Sequence, residues 1–375
     1  MFGKTAPAAK KIPSATVTDA GPCRKSVSLR LSPEVVAPLR ATVLEEFQKR
    51  VTLPGFRKGK APADVVEKQY AKDIQGETLH RAMKQGFEEA IAAFQLKPVG
   101  PFEVRKADAT DAGGLTVEAL VEVEPGFALG RYQKIPLTRQ GADVTPQDLE
   151  QALAKLQESM AKMVPAKKEK EDQPAGEGKT RETPPLDDEL AKDMGYESLE
   201  KLRAHLQAKL REQKRHAQAQ ALEAALCDEL LARHQFDVPS GLVTHQTERL
   251  TRDFKARLLL SGMPEPQASE ETGKFTEQMR TSAARHVKLT FILDRVAEQE
   301  SLSVTQDELV KHLWQLSQRW KKDPAEVRRI FDAQGLWGSV ASAIRQEKTI
   351  AWLMASAVIT NGQSQGSAAA KQSPA

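Results

Sequence analysis

The chain has 375 residues, enough for two or three domains with a sizeable core. Its 40% apolar and 28% charged residues are ordinary for a water-exposed protein, and no apolar run approaches the roughly 18 residues of a membrane span. Net charge is +4, unevenly spread: residues 1–60 hold twelve Lys/Arg against four Asp/Glu, leaving 43 and 47 for the remainder. A basic front on a mildly acidic body predicts that the front meets a polyanion or an acidic surface. Aromatics are only 5%, which suits long helices of Ala, Leu, Gln, Glu, Lys and Arg better than an aromatic-rich enzyme core. Cys23 and Cys227 have neither CxxC nor metal-ligand spacing, so the chain predicts no disulfide framework and no zinc site.

Residues 1–22 are rich in Ala, Lys, Pro, Ser and Thr and lack an apolar h-region. They read as a disordered extension without a secretory signal; with no acid before Asp19, an organelle transit peptide is the alternative. From Arg24 the pattern alternates, with Val27, Leu29 and Leu31 on one face of a strand. Ser32 and Pro33 open a helix that carries Val36, Leu39, Val43, Leu44 and Phe47. Pro62 restarts a short helix with Val65, Val66 and Tyr70, and another runs from about Glu77 to Phe94. "FEVRK" and "LTVEALVEVE" predict two strands, joined by a hairpin turn at Asp111 to Gly114. The front therefore predicts a compact α+β domain ending near Glu124.

"FALGRYQKIPLTRQ" reads as a further extended segment. Thr145-Pro146 then caps a helix bearing Leu149, Leu153, Leu156 and Met160. After Pro165 the run "AKKEKEDQPAGEGKTRETPP" has the composition of a flexible linker. From Asp188 to about Thr360 everything reads as helix, broken at Pro239 and by a Pro/Glu/Gly-rich loop at 261–273. Thr305 and Glu308 form a capping box, Asp323-Pro324 marks a second helix start and Gly335 a stop. The tail from Asn361 reads as disordered.

The stretch "PGFRKGKAP", residues 54–62, is the one most out of keeping with a folding core. It is not a phosphate-binding P-loop, because three residues rather than four separate Gly55 from Gly59 and Ala61 stands where a hydroxyl belongs. One reading is a basic surface turn with Phe56 tucked into the core. The other is a docking tip, in which an aromatic fills a partner's pocket while adjacent cations meet carboxylates or phosphates. Nucleic-acid binding by the basic front would need a groove with stacking aromatics, and only Phe56 lies near the cations.

The run "VTLPGFRKGKAPADVVEKQY" resembles the ribosome-docking signature of bacterial trigger factors, and "LKPVGPFEV", "PPLDDELAKDMGYESLEKLRAHL" and "FDVPSGLV" resemble further segments of that family. The likeness covers roughly residues 24–360. It implies a multi-domain chain, with an α+β N-terminal ribosome-docking domain and an extended all-α C-terminal chaperone domain with arms. The corresponding division is 1–22 extension, 23–138 docking domain, 139–187 linker helix and charged linker, 188–360 helical chaperone domain and 361–375 tail.

The resemblance further implies that Gly55, Phe56, Arg57, Lys58, Gly59 and Lys60 contact a protein of the large subunit at the tunnel exit, with rRNA as a further partner. It implies a cytoplasmic chaperone of nascent and unfolded polypeptides, without cofactor or membrane, which dimerises off the ribosome. Family members usually insert an FKBP-like peptidyl-prolyl isomerase domain after the docking domain. No Phe, Trp or Tyr occurs between Tyr132 and Tyr196, so no aromatic pocket is encoded there and the expectation is a member that is not an enzyme. A free holdase without docking and an active isomerase are the alternatives. Candidate client-facing residues are Trp314, Trp320, Trp337 and Met354. The seven histidines show no metal-ligand spacing, and no serine lies in a nucleophile-elbow pattern, so no catalytic or metal residue is assigned.

Overall fold

A computed structural model describes residues 14–110, 114–159, 162–165, 179–182 and 185–362. The expected turn at 111–113, the ends 1–13 and 363–375, and most of the charged linker lie outside the described residues.

The first elements are strands β1 (Ser14–Gly21) and β2 (Arg24–Leu31), helices α1 (Pro33–Arg50), α2 (Ala63–Gln69) and α3 (Ala71–Phe94), and strands β3 (Glu103–Ala109) and β4 (Leu115–Glu122). They make one antiparallel sheet in the order β1-β2-β4-β3. The disorder expected through residue 22 therefore gives way to a strand at Ser14. β1 contributes only Ala15 and Val17 to the core, and its Thr, Ser and Asp residues disguise it by composition. Its order comes from the ladder to β2, where Val17 faces Val27 and Ala15 faces Leu29.

Alternation decides which face of the sheet is covered. Val27, Leu29 and Leu31 of β2 and Leu115, Val117, Ala119 and Val121 of β4 point inward, against Ala82, Phe87 and Ala90 of α3. α3 comes close enough to the sheet that a Cβ on Gly86 would lie 3.0 Å from a Leu29 methyl. A second, smaller core lies between α1, α2 and α3 and consists of Val43, Phe47, Leu53, Ala61, Val66 and Ile74.

Beyond the sheet run β5 (Pro136–Arg139), α4 (Pro146–Ser159), β6 (Lys162–Pro165) and β7 (Lys179–Glu182), then α5 (Asp188–Asp193) and α6 (Leu199–Arg233). They are followed by α7 (Ser240–Leu260), α8 (Glu265–Lys274), α9 (Thr276–Gln299), α10 (Gln306–Trp320), α11 (Pro324–Gln334), α12 (Trp337–Ser356) and β8 (Val358–Asn361). Three expectations change here. Much of the expected 261–273 loop is helical from Glu265, because Pro264 at the N-cap and Pro266 in the first turn suit a helix start, and Ala268 and Thr272 bury one face. The helical run stops at Ser356, and the β-branched Val358, Ile359 and Thr360 pair in parallel with β5. Within the expected linker, Lys162–Pro165 and Lys179–Glu182 pair as an antiparallel ribbon.

The chain divides into two compact units, each drawn from separate stretches. One holds the residues up to Gly130 together with His234–Arg295; the other holds Arg131–Arg233 together with the residues from Val296 onward. In the first, α7 and α9 pack through Val243, Ala283 and Val287. In the second, α10, α11 and the start of α12 close over Leu313, Val327 and Phe331.

Also in the second unit, α4 is tied to α6 by charge. Asp148 accepts the Thr145 amide and hydroxyl, both at 2.7 Å, and the Lys214 ammonium at 2.6 Å. Lys214 also donates to the Asp143 carbonyl at 2.8 Å. The lysine and the two Thr145 donors pull the Asp148 carboxyl down to about 2. A folded value below that of the unfolded chain, roughly 3.9, stabilises this contact at neutral pH. The stabilisation is lost as pH falls through the folded value. A carbon-detected NMR titration should find Asp148 titrating near 2, and Lys214→Met should return its midpoint toward the ordinary carboxylate range.

Candidate functional site

The two buried residues Leu53 and Ala61 mark where the chain leaves and re-enters the smaller core. Between them residues 54–60 have no core to enter and run out as a loop. Two tight turns shape it: the Phe56 amide donates to the Leu53 carbonyl at 3.1 Å, and the Lys60 amide to the Arg57 carbonyl at 2.9 Å. Gly55 (φ 85°) and Gly59 (φ 78°) take the left-handed conformations those turns require, which side-chain-bearing residues rarely adopt. The returning strand of the loop is pinned at its base, where Gln48 Nε2 donates to the Ala61 carbonyl at 2.6 Å.

The tip is presented outward. Phe56 is 41% exposed, so it is not tucked into the core as a plain surface turn would have it. Arg57, Lys58 and Lys60 are exposed, and none has an ion-pair partner among the described residues. An aromatic left in water beside unneutralised cations is unfavourable alone and becomes favourable against a partner with an apolar pocket and acidic or phosphate groups.

The loop stands on a braced base. Arg81 of α3 grips both oxygens of Glu46 on α1, at 2.9 and 2.6 Å, and holds Glu77 at 2.8 Å. These contacts hold the Glu46 carboxyl below its usual range and fix α1 against α3 directly behind the loop. Phe47 packs on Tyr70 with ring centroids 6.2 Å apart, and the Arg50 guanidinium lies 4.8 Å above the Phe47 ring.

The four client-facing candidates separate by burial. Trp314 and Trp320 on α10 are 56% and 45% exposed. Trp337 is half-buried: it meets Phe331 edge-on at 5.4 Å and donates its indole N–H to Asp332 at 2.7 Å. Trp320 also meets that phenylalanine edge-on, with ring centroids 6.3 Å apart. Met354 is half-buried on α12. The structure adds Val310, 57% exposed one turn before Trp314, and the exposed Leu259, Leu260 and Phe275 on α7 and after α8. Helical spacing reveals apolar faces but not which ones remain uncovered, so these were not identifiable beforehand.

Neither thiol is set up as a nucleophile, since burial pushes both Cys23 and Cys227 up from the ordinary thiol value. Among the described residues no three His, Cys, Asp or Glu side chains are grouped to hold a metal ion, and no helix is long and apolar enough to cross a membrane.

Two family models match the chain: the bacterial trigger factor protein at residues 14–156 and the bacterial trigger factor C-terminus at residues 198–355. The chain belongs to the bacterial trigger factor family. Trigger factor of Anaeromyxobacter sp. (strain Fw109-5) is 24% identical over 423 residues, spanning 92% of this chain and 98% of that protein. Trigger factor of Geobacillus kaustophilus (strain HTA426) is 24% identical over 388 residues, 82% of this chain and 90% of that protein. A solved structure of the trigger factor chaperone, described for promiscuous substrate recognition in folding and assembly, aligns with 91% of this chain and 99% of its own at 20% identity, with a TM-score of 0.49. The chain thus has the α+β N-terminal part and the all-α C-terminal part of trigger factors, and membership implies a ribosome-associated chaperone role in protein folding. Residues 157–197 lie between the two matched segments and include the β6–β7 ribbon.

Proposed function

We propose that this chaperone docks beside the polypeptide exit tunnel through Gly55–Lys60 and holds emerging chains on the apolar surfaces of its helices. The observation that carries the reading is the exposed Phe56 flanked by free cations on a glycine-framed tip whose base is fixed by a buried core. Division of labour follows the sequence: residues 23–138 dock, 139–187 link, and 188–360 hold clients. The partners are a protein of the large subunit, with rRNA phosphates within reach of the cations, and nascent or unfolded polypeptides. The family relationship also favours a cytoplasmic location and self-association off the ribosome.

Holding needs many weak contacts, because client sequences vary. Val310, Trp314 and Trp320, exposed on one helix, supply such contacts, as do Leu259, Leu260 and Phe275. Co-sedimentation with 70S ribosomes tests the docking, and suppression of aggregation of a denatured client tests the holding. Sedimentation at low salt that weakens at moderate salt is expected. A chain that protects clients yet never sediments would leave only the free holdase.

We further infer that residues 139–187 replace the isomerase domain and that the chain is not an enzyme. A domain of that kind needs on the order of 100 residues, and the segment contains no aromatic for a proline pocket. In a prolyl-peptide assay, cis–trans exchange should stay at the uncatalysed rate of tens to hundreds of seconds. Clear acceleration by the purified chain would refute this.

A further inference from the structure

The start of α7 is capped from another part of the chain. Its N-cap residue, Pro239, has no side-chain acceptor to offer, although a helix start leaves four amides without partners. The Gly241 amide donates instead to Glu122, the last residue of β4, at 2.9 Å to each carboxylate oxygen. The Ser240 hydroxyl donates to the same carboxylate at 3.0 Å and accepts the Arg24 guanidinium at 2.9 Å. Arg24 Nε also approaches Glu122 at 3.4 Å, and beside it the Cys23 thiol donates to the Asp237 carbonyl at 3.1 Å. A Cβ at 241 would lie 2.6 Å from a Glu122 oxygen, so any larger residue there makes the carboxylate swing off the helix start.

None of these contacts is local in sequence. Glu122, Cys23 and Arg24 close one end of the sheet whose helices carry the docking loop. Asp237, Ser240 and Gly241 begin the α7–α9 hairpin, which belongs to the same compact unit as that sheet. A helix start that needed only local stability would carry its own Ser, Thr or Asp cap. Here the cap is satisfied only when the helix stands at one position against the sheet, and the carboxylate is charge-assisted and largely shielded from water.

We propose that Glu122 is a positioning residue that fixes the α7–α9 arm on the docking sheet, so that docking the loop also sets where the arm points. This rests on the reading that the loop docks and the arms hold clients. A second attachment makes the effect one of aim rather than of detachment. Phe127 stacks on Phe236 at 4.1 Å, and His234 Nε2 accepts the Gly130 amide at 2.9 Å. Those contacts survive loss of Glu122 and keep the arm in place while its angle is freed.

The test is single-molecule energy transfer in the free protein, with dyes on unnatural amino acids at Lys68 of α2 and Ser261 at the end of α7, leaving both native cysteines in place. Wild type should give one narrow distance peak. Glu122→Gln and Gly241→Ala should each raise the fraction outside that peak by about tenfold, the factor expected when a contact of capping strength is lost. Glu122→Asp, which keeps the charge on a shorter arm, should fall between. Amide exchange of β2 and β4 should be unchanged in all of them. Identical distributions in wild type and variants would overturn the proposal. So would broadening accompanied by loss of protection in the sheet, because Glu122 would then simply hold the sheet together. The distance is read without ribosomes, so a chain that never sediments with 70S particles but broadens in the variants would remove the docking reading and support the latch.

Discussion

Changing Phe56, Arg57 and Lys58 together to alanine is expected to weaken binding to 70S ribosomes by on the order of 100-fold or more while leaving the fold intact. The size follows from the make-up of the tip. One aromatic and one arginine at the centre of a small contact are the residue types that carry most interface energy, and here both are free of competing partners. The fold is spared because the three side chains are exposed and contribute nothing to the core behind them. Co-sedimentation at low and moderate salt measures the first effect, and urea unfolding the second. Phe56→Ala alone should weaken binding at every salt concentration, whereas Arg57→Ala and Lys58→Ala should also flatten the salt dependence. Equal sedimentation of the intact and triply substituted chains would end the loop's claim to be the dock.

The opposite result is expected nine residues earlier. Phe47→Ala should destabilise the N-terminal α+β part by about 3–5 kcal/mol, the usual cost of emptying a phenylalanine site in a core. Phe47 is 8% exposed, and it belongs to the same small core as Leu53 and Ala61, the residues that frame the loop. Removing it leaves a cavity in that core and takes away the ring on which Arg50 and Tyr70 pack. Urea denaturation read by circular dichroism should show the loss. Ribosome binding should fall less than in the triple variant, because the docking groups are all still present on a base that has only loosened. If Phe47→Ala is as stable as wild type, the small core does not hold the loop.

Strongly periodic elements were legible in the sequence. β2 and β4 alternate large apolar with polar residues, so their inward faces could be named before the structure. The Thr305–Glu308 capping box and the left-handed Gly335 also stand where spacing put them. The exposed 54–60 loop was legible because two glycines flank a cluster that no core has use for. Other features were hidden for definite reasons. β1 is an edge strand with little to bury, so its pattern is faint. α8 begins with prolines, which read as breakers unless the helix start is recognised. β8 depends on a partner more than 200 residues away, a dependence no local window contains. The tryptophans could not be sorted because a helical stripe looks the same whether a neighbour covers it or solvent does; Trp337 and Trp314 differ only in what packs on them.

The parallel pairing of β5 with β8 has a consequence for how the chain is made. The four-stranded sheet is complete in sequence once Glu122 has been synthesised, whereas Pro136–Arg139 must wait for Val358–Asn361. At roughly 10 residues per second, that wait is about 20 seconds of translation. For that interval β5 is an open strand on a chain whose sheet and 54–60 loop have already been made. Synthesis of Val358–Asn361, rather than of the sheet, is the step that lets β5 find its partner.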